Sequence, residues 1–313
     1  MAPVATRAAY EPALVALAGA GVAISLRKAS ALEDGRDASP ELDILLQPGD
    51  VRAADQALRR AGFNWFAAPQ APDHRFYLAF NDDRWLKIDA KIAGRAGRAI
   101  FARLRPAGLR RLGPVIAILG PDGAGKGAII PRLVEQIPVG VTVAYLGWRP
   151  RRKKMKTSIA PSSPNGAERS ADNRSPHPLR ECAFVLLHAL RFLPRLLRVY
   201  LSAWKGYIVI CDRHPLELLA IRPRRTTAAG ALERMIWRWF LPWPDAIVLL
   251  DAPADVLLQR KDEHPVELLE AWRRAYSEVF SLAKVISTTV PLETSVRLTS
   301  AAVWNELKRR RRW

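Results

Sequence analysis

The sequence predicts an α/β protein: a doubly wound, parallel five-stranded sheet with helices on both faces over residues 114–313, preceded by a smaller α+β unit over 1–91. Downstream of Pro114, short continuous apolar runs alternate with helical stretches, the pattern of strands covered on both faces rather than on one. The first of these runs leads straight into a glycine-rich loop that ends in a lysine. The chain's 313 residues also exceed the ~100–200 usual for one domain, and a stretch rich in glycine and arginine at 92–113 divides it as a basic linker. An apolar share of 49% and a charged share of 25% are those of ordinary globular proteins, which excludes a fibrous or largely disordered chain.

Taken in order, Ala13 to Leu26 reads as a helix leading into a strand. Arg7 ahead of that apolar run gives it some likeness to a secretory leader, which Glu11 counts against. Glu41-Leu42-Asp43-Ile44 alternates acid with apolar residue, so a strand there turns both carboxylates to one face. Val51–Ala61 follows as a helix that Gly62-Phe63 ends, Arg75–Phe80 as a polar strand and Trp85–Asp89 as another. Asp89 on a strand beside Glu41 and Asp43 would complete a carboxylate cage for one or two divalent cations. Exposed strand acids with no ligand give the same spacing.

Beyond the linker, strands are predicted at Pro114–Leu119, Val141–Leu146, Tyr207–Cys211, Ala246–Leu250 and Val285–Ser287. Right-handed crossovers through the intervening helices place ligands at the carboxyl ends of the strands, hence near Gly120, Gly147, Asp212 and Asp251. Between the second strand and a helix at Ala183–Trp204, residues 149–180 hold Arg151-Arg152-Lys153-Lys154 and then Pro161-Ser162-Ser163-Pro164-Asn165-Gly166, a composition that predicts a mobile basic insertion. The tail Lys308–Trp313 reads as a frayed, solvated helix end.

Gly120-Pro121-Asp122-Gly123-Ala124-Gly125-Lys126 has the spacing of a loop whose backbone amides wrap the phosphates of ATP or GTP. Side chains at Gly123 and Gly125 would obstruct the approach of a phosphate, the helix that follows adds a favourable dipole, and Lys126 supplies a mobile charge. A glycine turn with an incidental lysine is the plainer alternative, but it leaves the strand before and the helix after unexplained. The next position calls for Ser or Thr, whose hydroxyl holds Mg²⁺, and here it is Gly127. Either water replaces that ligand, with Asp212 or Asp122 holding the ion indirectly, or nucleotide is bound without efficient phosphoryl transfer. Asp212-Arg213-His214 puts an acid and a base beside the expected γ-phosphate, where a strand-end ion pair is the simpler reading. Arg260, Lys261, Arg273, Arg274 and Tyr276 suit a lid over phosphates and equally a solvated basic face.

Gly120–Lys126, Asp212-Arg213-His214, Trp243-Pro244-Asp245 ahead of Ile247–Asp251, and Arg260-Lys261 together resemble the thymidylate kinase-like branch of the P-loop nucleoside monophosphate kinases, from about Pro114 to the C-terminus. The resemblance implies ATP as donor, bound by Gly120, Asp122, Gly123, Ala124, Gly125, Lys126, Gly127 and Arg260. It also implies Mg²⁺, a basic lid and transfer of the γ-phosphoryl group to a phosphorylated small molecule. It gives catalytic roles to Lys126, Asp212 and Arg213, with Asp212 serving the metal and Arg213 the acceptor phosphate. Trp148-Arg149-Pro150 stands where the family has an arginine and proline after its second strand, which adds Arg149 to the acceptor side. His214-Pro215-Leu216-Glu217-Leu218-Leu219 replaces the polar residues with which thymidylate kinases read their base, so thymidine is not implied. The N-terminal stretch resembles the minimal nucleotidyltransferase fold, which carries Gly-Ser, an acid-hydrophobe-acid strand and a later strand acid. Ala29-Ser30, Glu41, Asp43 and Asp89 fall at those places, with Ala29 in place of the glycine, and the resemblance implies metal at the three acids.

A formal net charge of +19, from 49 basic and 30 acidic side chains, favours anionic partners. Residues 149–205 carry 13 basic and 3 acidic residues, so +10 of the +19 is concentrated there. Nucleotides, nucleic acid and an anionic membrane surface all meet that requirement. Nucleic acid is the weakest of the three, because the basic stretches lack interleaved aromatics or a known binding module. Arg191, Arg195 and Arg198 share one face of the helix at Ala183–Trp204, which suits acceptor binding, contact with a membrane surface, or simple solvation. His188, Pro194 and those arginines exclude this helix as a membrane span. Two cysteines, Cys182 and Cys211, give no disulfide framework and fit a reducing cytoplasm. The leading expectation is a kinase-like enzyme; a nucleotide-binding switch or scaffold that lacks catalysis is the alternative, and a nucleic-acid binder stands behind both.

Overall fold

The computed structural model describes residues 7–26, 41–71, 73–94, 113–147, 177–221, 227–240, 242–281 and 283–309. Ala29-Ser30, most of the 92–113 linker, Arg149 with the insertion up to residue 176, and the last four residues lie outside the described residues. The chain is mixed α/β with two five-stranded sheets, one of them entirely parallel.

The first sheet is built by β1 (Ile24–Leu26), β2 (Glu41–Leu46), β3 (Asn64–Ala67), β4 (His74–Asn81) and β5 (Arg84–Ile92), with α1 (Arg7–Gly19) and α2 (Val51–Arg60). Its order is β1-β2-β5-β4-β3, and only β2 and β5 run parallel. Along β2 the residues Leu42, Ile44 and Leu46 are buried while Glu41 and Asp43 are half-exposed, the alternation expected of a strand with one face on a core. Asn81 pairs with Arg84, leaving Asp82 and Asp83 as a two-residue turn with φ of 48° and 63°. Left-handed backbone at both central positions is what a tight hairpin with matching twist requires, and aspartate tolerates it better than most side chains.

The second sheet comprises β6 (Val115–Leu119), β7 (Val141–Tyr145), β8 (Ile208–Asp212), β9 (Ala246–Asp251) and β10 (Lys284–Ser287). All five strands lie within a residue at each end of where the apolar runs put them. Between them come α3 (Lys126–Gln136), α4 (Pro178–Trp204), a short turn at Pro215–Glu217 merging into α5 (Leu218–Ile221), α6 (Thr227–Met235) continued by a wider turn at Ile236–Phe240, α7 (Ala254–Arg260), α8 (Val266–Val279) and finally α9 (Leu292–Arg309). The helix α4 begins inside the stretch expected to be a mobile insertion, with Pro178 at its first turn, where a missing N–H costs nothing.

Strand order is β10-β9-β6-β8-β7. Ile116, Ile118, Ile210 and Val248 pack on one face against Ile129 and Leu133 of α3 and Val303 and Leu307 of α9. Val115, Ala117, Leu119 and Val209 pack on the other against Leu196 and Val199 of α4 and Tyr276 of α8. Each large apolar side chain taken out of water contributes about 1.5–3 kcal/mol, so the helices are held chiefly by the sheet they cover. Full burial holds for β6 and nearly so for β8 and β9, whereas the edge strands β7 and β10 are half-exposed to exposed along most of their length. A buried carboxylate pins the centre: Asp245 Oδ2 accepts the Val115 N–H at 2.8 Å.

From β6 the chain passes first to β7 and β8 on one side, then to β9 and β10 on the other. That reversal opens a crevice at the carboxyl end of β6, the usual ligand position in an open parallel sheet. The two sheets meet through α9. Trp85 of β5 lies edge-on to Trp304, ring centroids 5.8 Å apart, and Arg297 Nη1 reaches Asp83 Oδ2 at 2.8 Å.

Candidate functional site

Gly120–Lys126 fills the crevice, turning from β6 into α3. Gly120 and Gly123 have φ of 146° and 86°. A Cβ at Gly120 would lie 2.3 Å from the Leu250 carbonyl oxygen, and one at Gly123 would lie 2.6 Å from that of Leu257. Both obstacles are backbone, so these glycines let the loop press against β9 and α7. The space that Gly123 preserves is thus against a helix of the protein itself. Gly127 is different: a Cβ there meets nothing within 4 Å. The first turn of α3 has no side-chain cap and no acidic residue, so its amides and dipole are directed at the loop without a competing anion from the helix itself.

Lys126, only 7% exposed, donates from Nζ to the carbonyls of Gly120 and of Pro121, the latter at 2.9 Å. Burial lowers its pKa, against the opposing pull of Glu217, Asp122 and Asp212. Arg213 adopts a left-handed φ of 67°, and its guanidinium is ion-paired with Asp122 and lies 3.7 Å from Glu217 Oε2. Burial alone would depress the Arg213 pKa, but Glu217 and Asp122 raise it. Burial likewise favours protonation of Asp122, yet Arg213, Lys126 and Lys261 together hold its carboxyl below the ordinary range. Arg213 therefore ties the strand end to the loop. Asp212 accepts the Leu146 N–H at its main-chain carbonyl, 3.0 Å, and its half-exposed side chain stands at the same edge.

His214 follows Asp212 and Arg213 at the same strand end. Its ring is buried, which pushes its pKa down to about 3, and Nδ1 accepts the Leu216 N–H at 3.3 Å. The neutral ring then carries its hydrogen on Nε2, and its role is to cap the turn at Pro215–Glu217. Both cysteines are free, and burial pushes the Cys211 thiol up to about 12, well away from a thiolate nucleophile.

Glu217 is the residue that sequence reasoning missed. Its Oε1 accepts the Gly120 N–H at 3.4 Å while its Oε2 faces Arg213. Burial pushes its pKa up to about 7, against the opposing charges of Lys126 and Arg213. The buried Tyr276 hydroxyl stands beside it without a well-formed hydrogen bond. A signal existed, since Glu217 follows Arg213 by four residues, the spacing of a helical ion pair.

Of the basic residues considered for a lid, two reach the loop. Arg260 donates to Thr288 Oγ1 and O at 3.0 and 2.6 Å and stands 3.5 Å from the Gly123 carbonyl oxygen. Lys261 pairs with Glu263 at 2.9 Å and lies 4.0 Å from Asp122. Arg273 is instead bound to Asp251 by two contacts of 2.8 Å, and Arg274 is exposed beside Glu270. Just past β7 Arg195 Nη1 donates to the Gly147 carbonyl at 3.4 Å, and a Cβ at Gly147 would fall 2.5 Å from Arg213 Cδ. Arg195 and Arg213 therefore flank one residue at the end of β7. A further group not anticipated from sequence, Asp122, Glu263 and His264, brings ligand atoms within 4.8 Å of one another.

In the first sheet, parallel pairing sets Asp43 opposite Asp89 and Glu41 opposite Lys87. Ligand atoms of Glu41, Asp43 and Asp89 lie within 4.8 Å of one another, as the spacing predicts. Basic groups stand beside Glu41 and Asp89: Lys87 Nζ is 3.0 Å from Glu41 Oε2, and His74 Nδ1 is 2.5 Å from Asp89 Oδ1. A cation entering there competes with Lys87 and His74.

No protein-family model matches this chain, and no curated protein matches it. Among the described residues no helix is long and apolar enough to cross a membrane.

Proposed function

We propose that residues 114–313 are a P-loop unit of the thymidylate kinase-like kind, which binds ATP and moves its γ-phosphoryl group to a phosphorylated small molecule. The observation that carries this reading is the convergence of Lys126, Arg213 and the uncapped first turn of α3 on one glycine-shaped loop at the crevice beside β6. Phosphate oxygens are charged acceptors, stronger than the two neutral carbonyls that hold Lys126 Nζ, so an entering triphosphate draws the lysine outward. The acceptor phosphate fits between Arg213 and Arg195. Mg²⁺ keeps several waters and needs only one or two protein carboxylates beside the nucleotide's phosphates, a demand that Asp212 alone meets. Gly127 contributes no ligand and supports a second reading, a nucleotide-binding switch with little turnover. Residues 1–91 belong to the same proposal as a nucleotidyltransferase-like unit that holds a divalent cation at Glu41, Asp43 and Asp89. A cytoplasmic setting, where ATP is available and thiols stay reduced, completes it.

Saturating ATP, at about a hundredfold excess over Kd, is expected to raise Tm by roughly 5–10 °C, and Lys126→Ala is expected to remove most of that rise. An undiminished shift in a folded Lys126→Ala protein would sink the proposed site. For an active kinase, Gly127→Ser should lower the Mg²⁺ concentration needed for ATP consumption and Asp212→Ala should abolish turnover. A switch would instead bind Mg-ATP more tightly after Gly127→Ser and still show no turnover with any acceptor.

A further inference from the structure

The long helix α4 buries one face against the second sheet and leaves the opposite face uncovered. Leu186, Leu190, Leu193, Leu197, Leu201 and Trp204 recur at intervals of three or four residues along it, and all are exposed, Leu190 by 61% and Leu197 by 54%. At 100° per residue they form one stripe that Leu187, 58% exposed, widens on one side, and Arg198 and Arg191 follow just beyond Leu187, while Arg195 lies farther round the helix, where it meets Gly147. The segment after α6 lies against the same helix, since Trp237 packs edge-on to Phe192 and the Tyr200 hydroxyl donates to the Pro242 carbonyl at 2.5 Å. That segment adds two more exposed aromatic side chains, Trp239 at 78% and Trp243 at 40%.

We propose that this face of α4, together with Trp239 and Trp243, docks on the surface of an anionic lipid bilayer. An apolar stripe with a basic edge and tryptophans beside it is the make-up of a helix lying in the headgroup layer: leucines enter the acyl boundary, indoles sit at the interface, and arginines reach sideways to lipid phosphates. Charge discriminates among occupants. The helix carries Glu181 as its sole acid against Arg180, Arg191, Arg195 and Arg198, so two copies paired through this face would oppose like charges. An anionic surface meets the same charges favourably. The preceding residues 148–176 include eight basic and two acidic residues but only three large apolar ones, Trp148, Met155 and Ile159, too few for that segment to cover the stripe. The helix lies on the bilayer and does not span it, since its arginines and His188 exclude the hydrocarbon depth.

Co-sedimentation of the full chain with phosphatidylcholine vesicles containing about 30% phosphatidylglycerol tests the proposal. Wild type should pellet with these vesicles, bind pure phosphatidylcholine at least about tenfold more weakly, and be released as salt rises to about 0.5 M. Leu190→Glu with Leu197→Glu should abolish binding, and Arg191→Glu with Arg198→Glu should weaken it at least about tenfold. All four positions are exposed, so unchanged Tm and circular dichroism are expected of both variants. Wild type that stays in the supernatant, or a Leu190→Glu, Leu197→Glu protein that pellets equally well, overturns the proposal. So does a lipid-independent dimer that Leu190→Glu with Leu197→Glu converts to monomer, which would assign the face to self-association.

Discussion

A carboxyl buried between Lys126 and Arg213, and bonded to the Gly120 amide, has its proton pulled two ways: burial retains it and the neighbouring cations expel it. For Glu217 burial prevails, and the pKa stands at about 7 against 4.5 for the ordinary side chain. Between those two values the folded protein holds a proton that the unfolded chain has released, so stability falls as pH rises through about 4.5–7 and levels off above. Glu217→Gln keeps an acceptor for Gly120 and cannot titrate. The Tm difference between wild type and Glu217→Gln should therefore change with pH inside that window and be constant above it, and parallel thermal unfolding curves across pH 4.5–8 would contradict the assignment. In the sequence Glu217 stands among apolar neighbours, Pro215, Leu216, Leu218 and Leu219, with no local pattern that marks it as functional. The chemistry of this residue comes from its burial, which the spacing to Arg213 hints at and only tertiary packing creates. Gly120, Lys126 and Arg213 were legible because a loop motif fixes their neighbourhood locally, whereas the pairing of Arg213 with Asp122 joins residues 91 apart.

Elements divide in the same way. The three central strands of the second sheet read plainly because strands covered on both faces need continuous apolar runs. The edge strand β3 escaped notice, since its four residues Asn64–Ala67 show no alternation and take their conformation from antiparallel pairing with β4. In β2 and β5 the strand period was enough to forecast that Glu41 and Asp43 share a face, while the register that sets Asp43 opposite Asp89 belongs to the fold. That register makes a cation site testable. Mn²⁺ titrated into the full chain should lose one class of site when Asp43→Asn and Asp89→Asn are combined. Lys87→Met should tighten the same site, because Lys87 sits 3.0 Å from Glu41 and competes for it. Equal Mn²⁺ affinity in wild type and the double variant would leave the three acids as ordinary strand carboxylates.

At the scale of the whole molecule, the glycine- and arginine-rich stretch at 92–113 suggests two independent units, yet a continuous apolar cluster extends from Leu42 and Leu78 of the first sheet to Ile118 and Val248 of the second. Trp85 and Trp304 form the aromatic part of that junction, and α9 serves both sides: Val303 and Leu307 cover the second sheet while Trp304 meets the first. Nothing in the apolar periodicity of either half marks this contact, because a helix with two apolar faces looks like one whose single apolar face is merely wide. Trp304 is 3% exposed, and truncating a buried tryptophan costs about 3–5 kcal/mol. A contact of that size couples the two sheets, so the wild type should unfold in one calorimetric transition and ATP bound at Gly120–Lys126 should protect the amides of β4 and β5 from hydrogen exchange. In Trp304→Ala the transition should split in two, with nucleotide raising only the component that contains β6. Two resolved transitions already present in the wild type would show that the sheets unfold independently, and a Trp304→Ala protein whose single transition keeps its ATP response in both halves would place their link elsewhere than at this side chain.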